Sequence, residues 1–105
     1  MELAIETPHG NEAFHLDDIM RVERLAFAAK LRAARAVLGL SQDQLAVKIG
    51  LTQRSVHRIE QGEVQPKVRT IVMIERFLTA QGIAFENLRD GGFRLIVETA
   101  VLLRD

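Results

Sequence analysis

Apolar residues fall at helical spacing through most of this chain, and small residues punctuate them. Phe27, Leu31, Ala34 and Leu38 recur at intervals of four, three and four, which places them on one face of a helix that starts near Asp17 and ends at Gly39. Ile19, Val22 and Leu25 allow that helix to reach back unbroken, or to break near Glu23. Ser41-Gln-Asp-Gln44 has the form of a capping box, and it opens a second helix with Leu45, Ala46 and Ile49 as its apolar stripe. Gly50 supplies a left-handed stop, and Thr52 caps a third helix with Val56 and Ile59 turned inward. Gly62 ends it. Pro66 is placed at the beginning of a fourth helix, with Ile71, Ile74, Phe77 and Leu78 as its apolar set and Gly82 as its close. The expected core is Leu31, Leu38, Leu45, Ile49, Val56, Ile59, Ile71 and Leu78.

Periodicity changes after Gly82. Ile83 to Phe85 and Gly92 to Val97 read as extended, with turn chemistry across Asn87 to Gly92, which predicts a β-hairpin. A lone hairpin is only marginally stable, so this one leans on the helices or pairs with another chain. Phe85, Phe93, Leu95 and Val97 exceed the apolar surface that one exposed hairpin should leave in water, so the segment is expected to contribute to a dimer contact; the alternative is that it caps the helical core. The expected organisation is an acidic arm over 1–16, flexible or extended, a helical domain over 17–82, and a hairpin with tail over 83–105.

Charge sharpens the picture. The formal net charge is zero, but residues 1–29 set two arginines against six carboxylates, while residues 30–69 set eight cations against three. A basic centre suits phosphate attraction, because the local field matters more than the total. At 100° per residue from the Val56 and Ile59 face, Arg54, His57, Arg58 and Gln61 point away from the core, and Gln53 stands exposed in the first turn.

Leu31-Arg-Ala-Ala-Arg35, Leu40-Ser-Gln-Asp-Gln-Leu-Ala46, Ile49-Gly-Leu-Thr52 and Val56-His-Arg-Ile-Glu-Gln-Gly62 resemble the lambda repressor-like helix-turn-helix family of transcriptional regulators, in the Cro/repressor and xenobiotic-response-element style. The resemblance runs from about Phe27 to Gln81. It implies a mainly α fold, a bundle of four or five helices followed here by the short hairpin. It also implies that the third helix, about 52–61, enters the major groove of operator DNA, with members often acting as dimers. Direct base contacts are expected from Gln53, Arg54, His57 and Arg58: glutamine can bond adenine N6 and N7, and arginine guanine O6 and N7. Gln42 resembles the family's phosphate-contacting glutamine at the start of the second helix, and Ser55, Lys67 and Arg69 are further phosphate candidates. Arg35 and Glu60 match the positions of the family's structural ion pair and are left out of the base contacts.

Other function classes find little in the sequence. Cysteine is absent, which removes disulfides and thiolate zinc ligation; no run approaches the roughly 20 apolar residues of a membrane span, and Glu2 and Glu6 stand where a signal peptide is basic. The expectation is a cytoplasmic protein without cofactor, metal or membrane contact. His9, His15 and His57 are scattered, and Glu12, His15, Asp17 and Asp18 read as a solvated acidic arm rather than metal ligands, so no enzyme is predicted. The partners expected are double-stranded operator DNA and a second copy, with repression as the outcome. An antitoxin that also holds a toxin protein is the alternative reading; a pure interaction module is opposed by the cationic third helix.

Overall fold

The computed structural model describes residues 16–103, which run α1 (Leu16–Leu38), α2 (Gln42–Ile49), α3 (Gln53–Glu60), α4 (Val68–Ala80), β1 (Ile83–Asn87), β2 (Phe93–Val97) and α5 (Thr99–Leu102). The chain is thus mainly helical with a two-stranded antiparallel hairpin near the C-terminus. The arm expected over 1–16 lies outside the described residues except for Leu16, which opens α1; His9, Glu12, His15 and the terminal Arg104 and Asp105 also fall outside them. Helix α1 passes Glu23 without a break, since nothing in Leu16 to Leu38 is a glycine or proline. Pro66 does not open α4. It lies one residue before the N-cap Lys67, whose side chain makes no capping bond, and it is buried in the connection from α3.

The short turn between α2 and α3 is built from local chemistry. Ser41 Oγ accepts the Gln44 amide at 3.0 Å and Gln44 Oε1 accepts the Ser41 amide at 2.8 Å, the two halves of the capping box. Gly50 stops α2 at φ 72°, a left-handed geometry that a side chain resists, and its amide bonds the Ala46 carbonyl. Thr52 then caps α3 by accepting the Ser55 amide at 3.0 Å. Gly62 is needed twice over: its φ is 71°, and a Cβ there would stand 2.8 Å from Leu25 Cδ2 of α1.

Leu31, Ala34, Leu45, Ala46, Ile49, Val56, Ile59, Ile74, Leu78 and Ile83 form one buried cluster across α1 to α4 and the hairpin. Two residues expected in the core are less enclosed. Leu38 packs against the cluster at the end of α1, and Ile71 is half-buried one turn before the fully buried Ile74, because α4 turns its Ile74 and Leu78 edge most directly inward. Leu45 has no exposed surface at all, so Leu45→Ala is expected to cost about 2 to 5 kcal/mol in urea unfolding. An unchanged midpoint would place Leu45 outside the core.

In the hairpin, Ile83 pairs with Val97, Phe85 with Leu95 and Asn87 with Phe93. Side chains alternate across a strand, so Ile83, Phe85, Phe93, Leu95 and Val97 share one face. That face is turned to the helices: Ile83 is buried in the main cluster, Phe85 and Leu95 pack on it, and Lys30 of α1 donates to Asn87 Oδ1 at 2.7 Å while its ammonium sits 5.5 to 5.6 Å from the Phe93 and Phe85 rings. This corrects the premise that Phe85, Phe93, Leu95 and Val97 are left in water. All four are half-buried, and the opposite face carries Ala84, Ile96 and the Glu86–Arg94 ion pair at 2.6 Å. The short α5 returns to the body through Val101, which sits against Gly82.

Candidate nucleic-acid interface

Helix α3 is eight residues long and sharply two-faced. Val56, Ile59 and Glu60 are buried, while Gln53, Arg54, His57 and Arg58 are all exposed, with Gln61 beside them at the C-cap. The structure therefore gathers the four residues expected to contact bases on one solvent-facing side of one helix. A rigid mounting matters for such a face, because its side chains must meet fixed base edges.

The mounting comes from α1. Arg35 Nε donates to Glu60 Oε2 at 2.8 Å and its Nη2 to Glu60 Oε1 at 3.0 Å, a forked pair, while Nη1 bonds the Leu40 carbonyl at 3.1 Å. Glu60 is only 1% exposed. Its hydrogen bond, followed by its charge, holds the Arg35 guanidinium above the ordinary arginine range against the opposing effect of burial. A cation raised in this way contributes stability that is fully present below its unfolded value, so Arg35 stays charged throughout the neutral range. Two further arginines of α1 went unassigned in the sequence. Arg32 donates to the Glu60 carbonyl, and Arg24 Nε donates to the Gly62 carbonyl at 2.8 Å. Together they satisfy carbonyls at the end of α3 where the helix dipole favours positive charge. Their signal was that Arg24 and Arg35 lie nearly in line on α1, about 20° apart, with Arg32 about 80° from Arg24.

Gln42 does more than its position suggested. Its Nε2 donates to Glu60 Oε1 at 3.0 Å and lies 3.5 Å from His57 Nδ1, while its Oε1 accepts from Gln53 Nε2 at 2.7 Å. Its side-chain amide thus links α2 to the buried carboxylate and to the first residue of α3. Any phosphate contact by that amide has to share a nitrogen already committed to Glu60. The main-chain N-terminus of α2 also faces solvent there.

The remaining candidates meet in a hollow of about 410 Å³ between α3 and the start of α4. Arg54, Ser55, Arg58, Lys67 and Arg69 all line it, over a floor that includes Pro66. Four cations around one depression favour an anion. One carboxylate works against this: Glu63 sits 3.5 Å from Arg58, with both side chains about half exposed. Ser55 Oγ accepts from Thr52 Oγ1 at 2.9 Å, which leaves its own proton available.

No helix among the described residues is long and apolar enough to cross a membrane. No curated protein matches the chain. Residues 26–89, more than half of the chain, match the family model described as a helix-turn-helix domain. With two short helices joined by a tight glycine turn, and the second presenting a polar, cationic face, the chain belongs to the helix-turn-helix domain family.

Proposed function

We propose that this protein is a sequence-specific transcriptional regulator that places α3 in the major groove of operator DNA and acts as a repressor by occupying its site. The observation that carries this reading is the row Gln53, Arg54, His57 and Arg58, exposed on a helix whose other side is locked to α1 by a buried ion pair. An α-helix fits the major groove, and residues of its N-terminal half reach base edges. Gln53, Arg54, His57 and Arg58 read bases. Lys67 and Arg69 meet phosphates beside them, aided by Ser55 and by the N-terminus of α2 at Gln42. One such helix reads only a few base pairs, so the protein binds as two copies on a pseudo-palindromic site with half-site centres about 34 Å apart.

Selection from a randomised operator library tests this directly. Arg54→Ala is expected to cost roughly 1 to 3 kcal/mol per half-site and to relax base choice at one position of each. Lys67→Ala should weaken every sequence about equally and lower the salt slope by about one counterion per copy. If Arg54→Ala leaves the selected sequence intact, α3 is not the reading element.

A further inference from the structure

The hollow of about 410 Å³ between α3 and the start of α4 is larger than a DNA phosphate needs. It falls within the roughly 300 to 1,000 Å³ of small-molecule pockets. Its rim and its floor differ in chemistry. Arg54, Arg58, Lys67 and Arg69 form the rim, all of them exposed. Among the described residues Arg58 alone of the four has a carboxylate at ion-pair distance, Glu63 at 3.5 Å, so the rim stays strongly positive. The floor is apolar. Ile59 and Pro66 are buried there, and Leu51 and Val64 are half-buried. A phosphate satisfies the rim but gains nothing from such a floor, whose dehydration needs an apolar body.

We propose that this hollow binds a small organic anion, a flat aromatic ring bearing a carboxylate, and that its occupation releases the protein from DNA. The ring covers the floor while the acid meets the cations of the rim. Three of those cations are arginines, and arginine selects for this ligand class: its planar guanidinium stacks on an aromatic face and grips a carboxylate through two parallel bonds. Ser55 adds a neutral donor, because its Oγ accepts from Thr52 Oγ1 at 2.9 Å and keeps its own proton for the ligand. Arg54 and Arg58 belong to the row that reads bases, and Lys67 and Arg69 are the phosphate contacts. Ligand and operator therefore compete for the same four side chains. This regulatory half rests on the DNA-binding reading above, whereas the binding half does not. An open hollow and a ligand of about a dozen heavy atoms make a weak site, with a Kd of about 0.1 to 1 mM.

Titration of 2-naphthoate into the full chain without DNA, followed by backbone amide chemical shifts, tests the site. Saturable binding in that range is expected, with the largest shifts around Leu51, Val64 and Thr70. Inorganic phosphate and acetate, which carry charge but no ring, should bind at least about tenfold more weakly. Thr70, half-buried on α4, lines the hollow, so Thr70→Phe should fill it; Val64→Asp should set a carboxylate in its floor. Each should weaken naphthoate about tenfold or more. Val64 also packs on the core, so Thr70→Phe decides the matter if Val64→Asp does not fold. On a duplex at constant ionic strength, about 5 mM naphthoate in place of acetate should raise the Kd about six- to fifty-fold. No saturation by about 10 mM, equal binding of phosphate, shifts centred elsewhere, or undiminished binding by Thr70→Phe overturns the site. Saturation that leaves the duplex Kd unchanged overturns the competition. A chain that binds naphthoate in the hollow but no duplex upholds the site and overturns the DNA reading together with the regulation built on it.

Discussion

Arg35→Met is expected to destabilise the protein by about 3 to 5 kcal/mol, and more than Glu60→Leu does, although the two residues form one ion pair. The asymmetry follows from where each charge is left. Glu60 is 1% exposed, so removing Arg35 strands a carboxylate inside the protein with Gln42 Nε2 as its remaining side-chain donor. Arg35 keeps a quarter of its side chain in water and a bond to the Leu40 carbonyl, so removing Glu60 leaves a cation that can still be solvated. Replacing both by Met and Leu should cost less than Arg35→Met alone, because no charge is then buried without a partner. Urea unfolding of the three variants measures this. Equal losses for the two single variants, or a double variant at the sum of both, would show that the pair is not the buried unit described here. Operator affinity should fall in Arg35→Met even where the chain remains folded, since Glu60 closes the helix that carries the reading face.

The parts of this arrangement that depend on neighbours in sequence were legible beforehand. Ser41 with Gln44, Gly50 and Thr52 each act within four residues, so their bonds can be deduced from spacing alone. The exposed row on α3 was legible for the same reason, since Val56 and Ile59 fix which side faces in. What spacing could not give is how α1 crosses the end of α3. That crossing places Arg24 and Arg32 on carbonyls 38 and 28 residues away, respectively, and no short-range pattern encodes it. The hairpin misled in a different way. Its strands and turn were readable, but alternation tells only that Phe85, Phe93, Leu95 and Val97 share a face, not what lies against that face. Lys30 and Ile83 supply the answer, and both depend on tertiary packing.

Gln53→Ala should have a large effect on DNA reading, because its contact, like the others of α3, is made twice in a dimer. At roughly 1 to 3 kcal/mol for each bidentate contact, losing both costs about 2 to 6 kcal/mol, between about thirty-fold and about twenty-thousand-fold in affinity. The geometry also says which base is lost. Glu60 Oε1 can only accept, so the Gln42 amide turns its nitrogen inward and its oxygen toward α3. That oxygen takes one proton of Gln53 Nε2 at 2.7 Å. Gln53 is left presenting its own Oε1 and its second N–H to solvent, an acceptor beside a donor. Adenine offers the complement, a donor at N6 beside an acceptor at N7, whereas guanine offers two acceptors. Wild-type protein should therefore select adenine at one position of each half-site, and Gln53→Ala should abolish that preference while leaving the positions read by Arg54 and Arg58. Gln42→Ala should keep the preference but blunt it, since Gln53 then turns freely and loses the bond that orients it. Selection from a randomised duplex measures all three proteins together. An unchanged adenine preference in Gln53→Ala would remove this residue from the reading face.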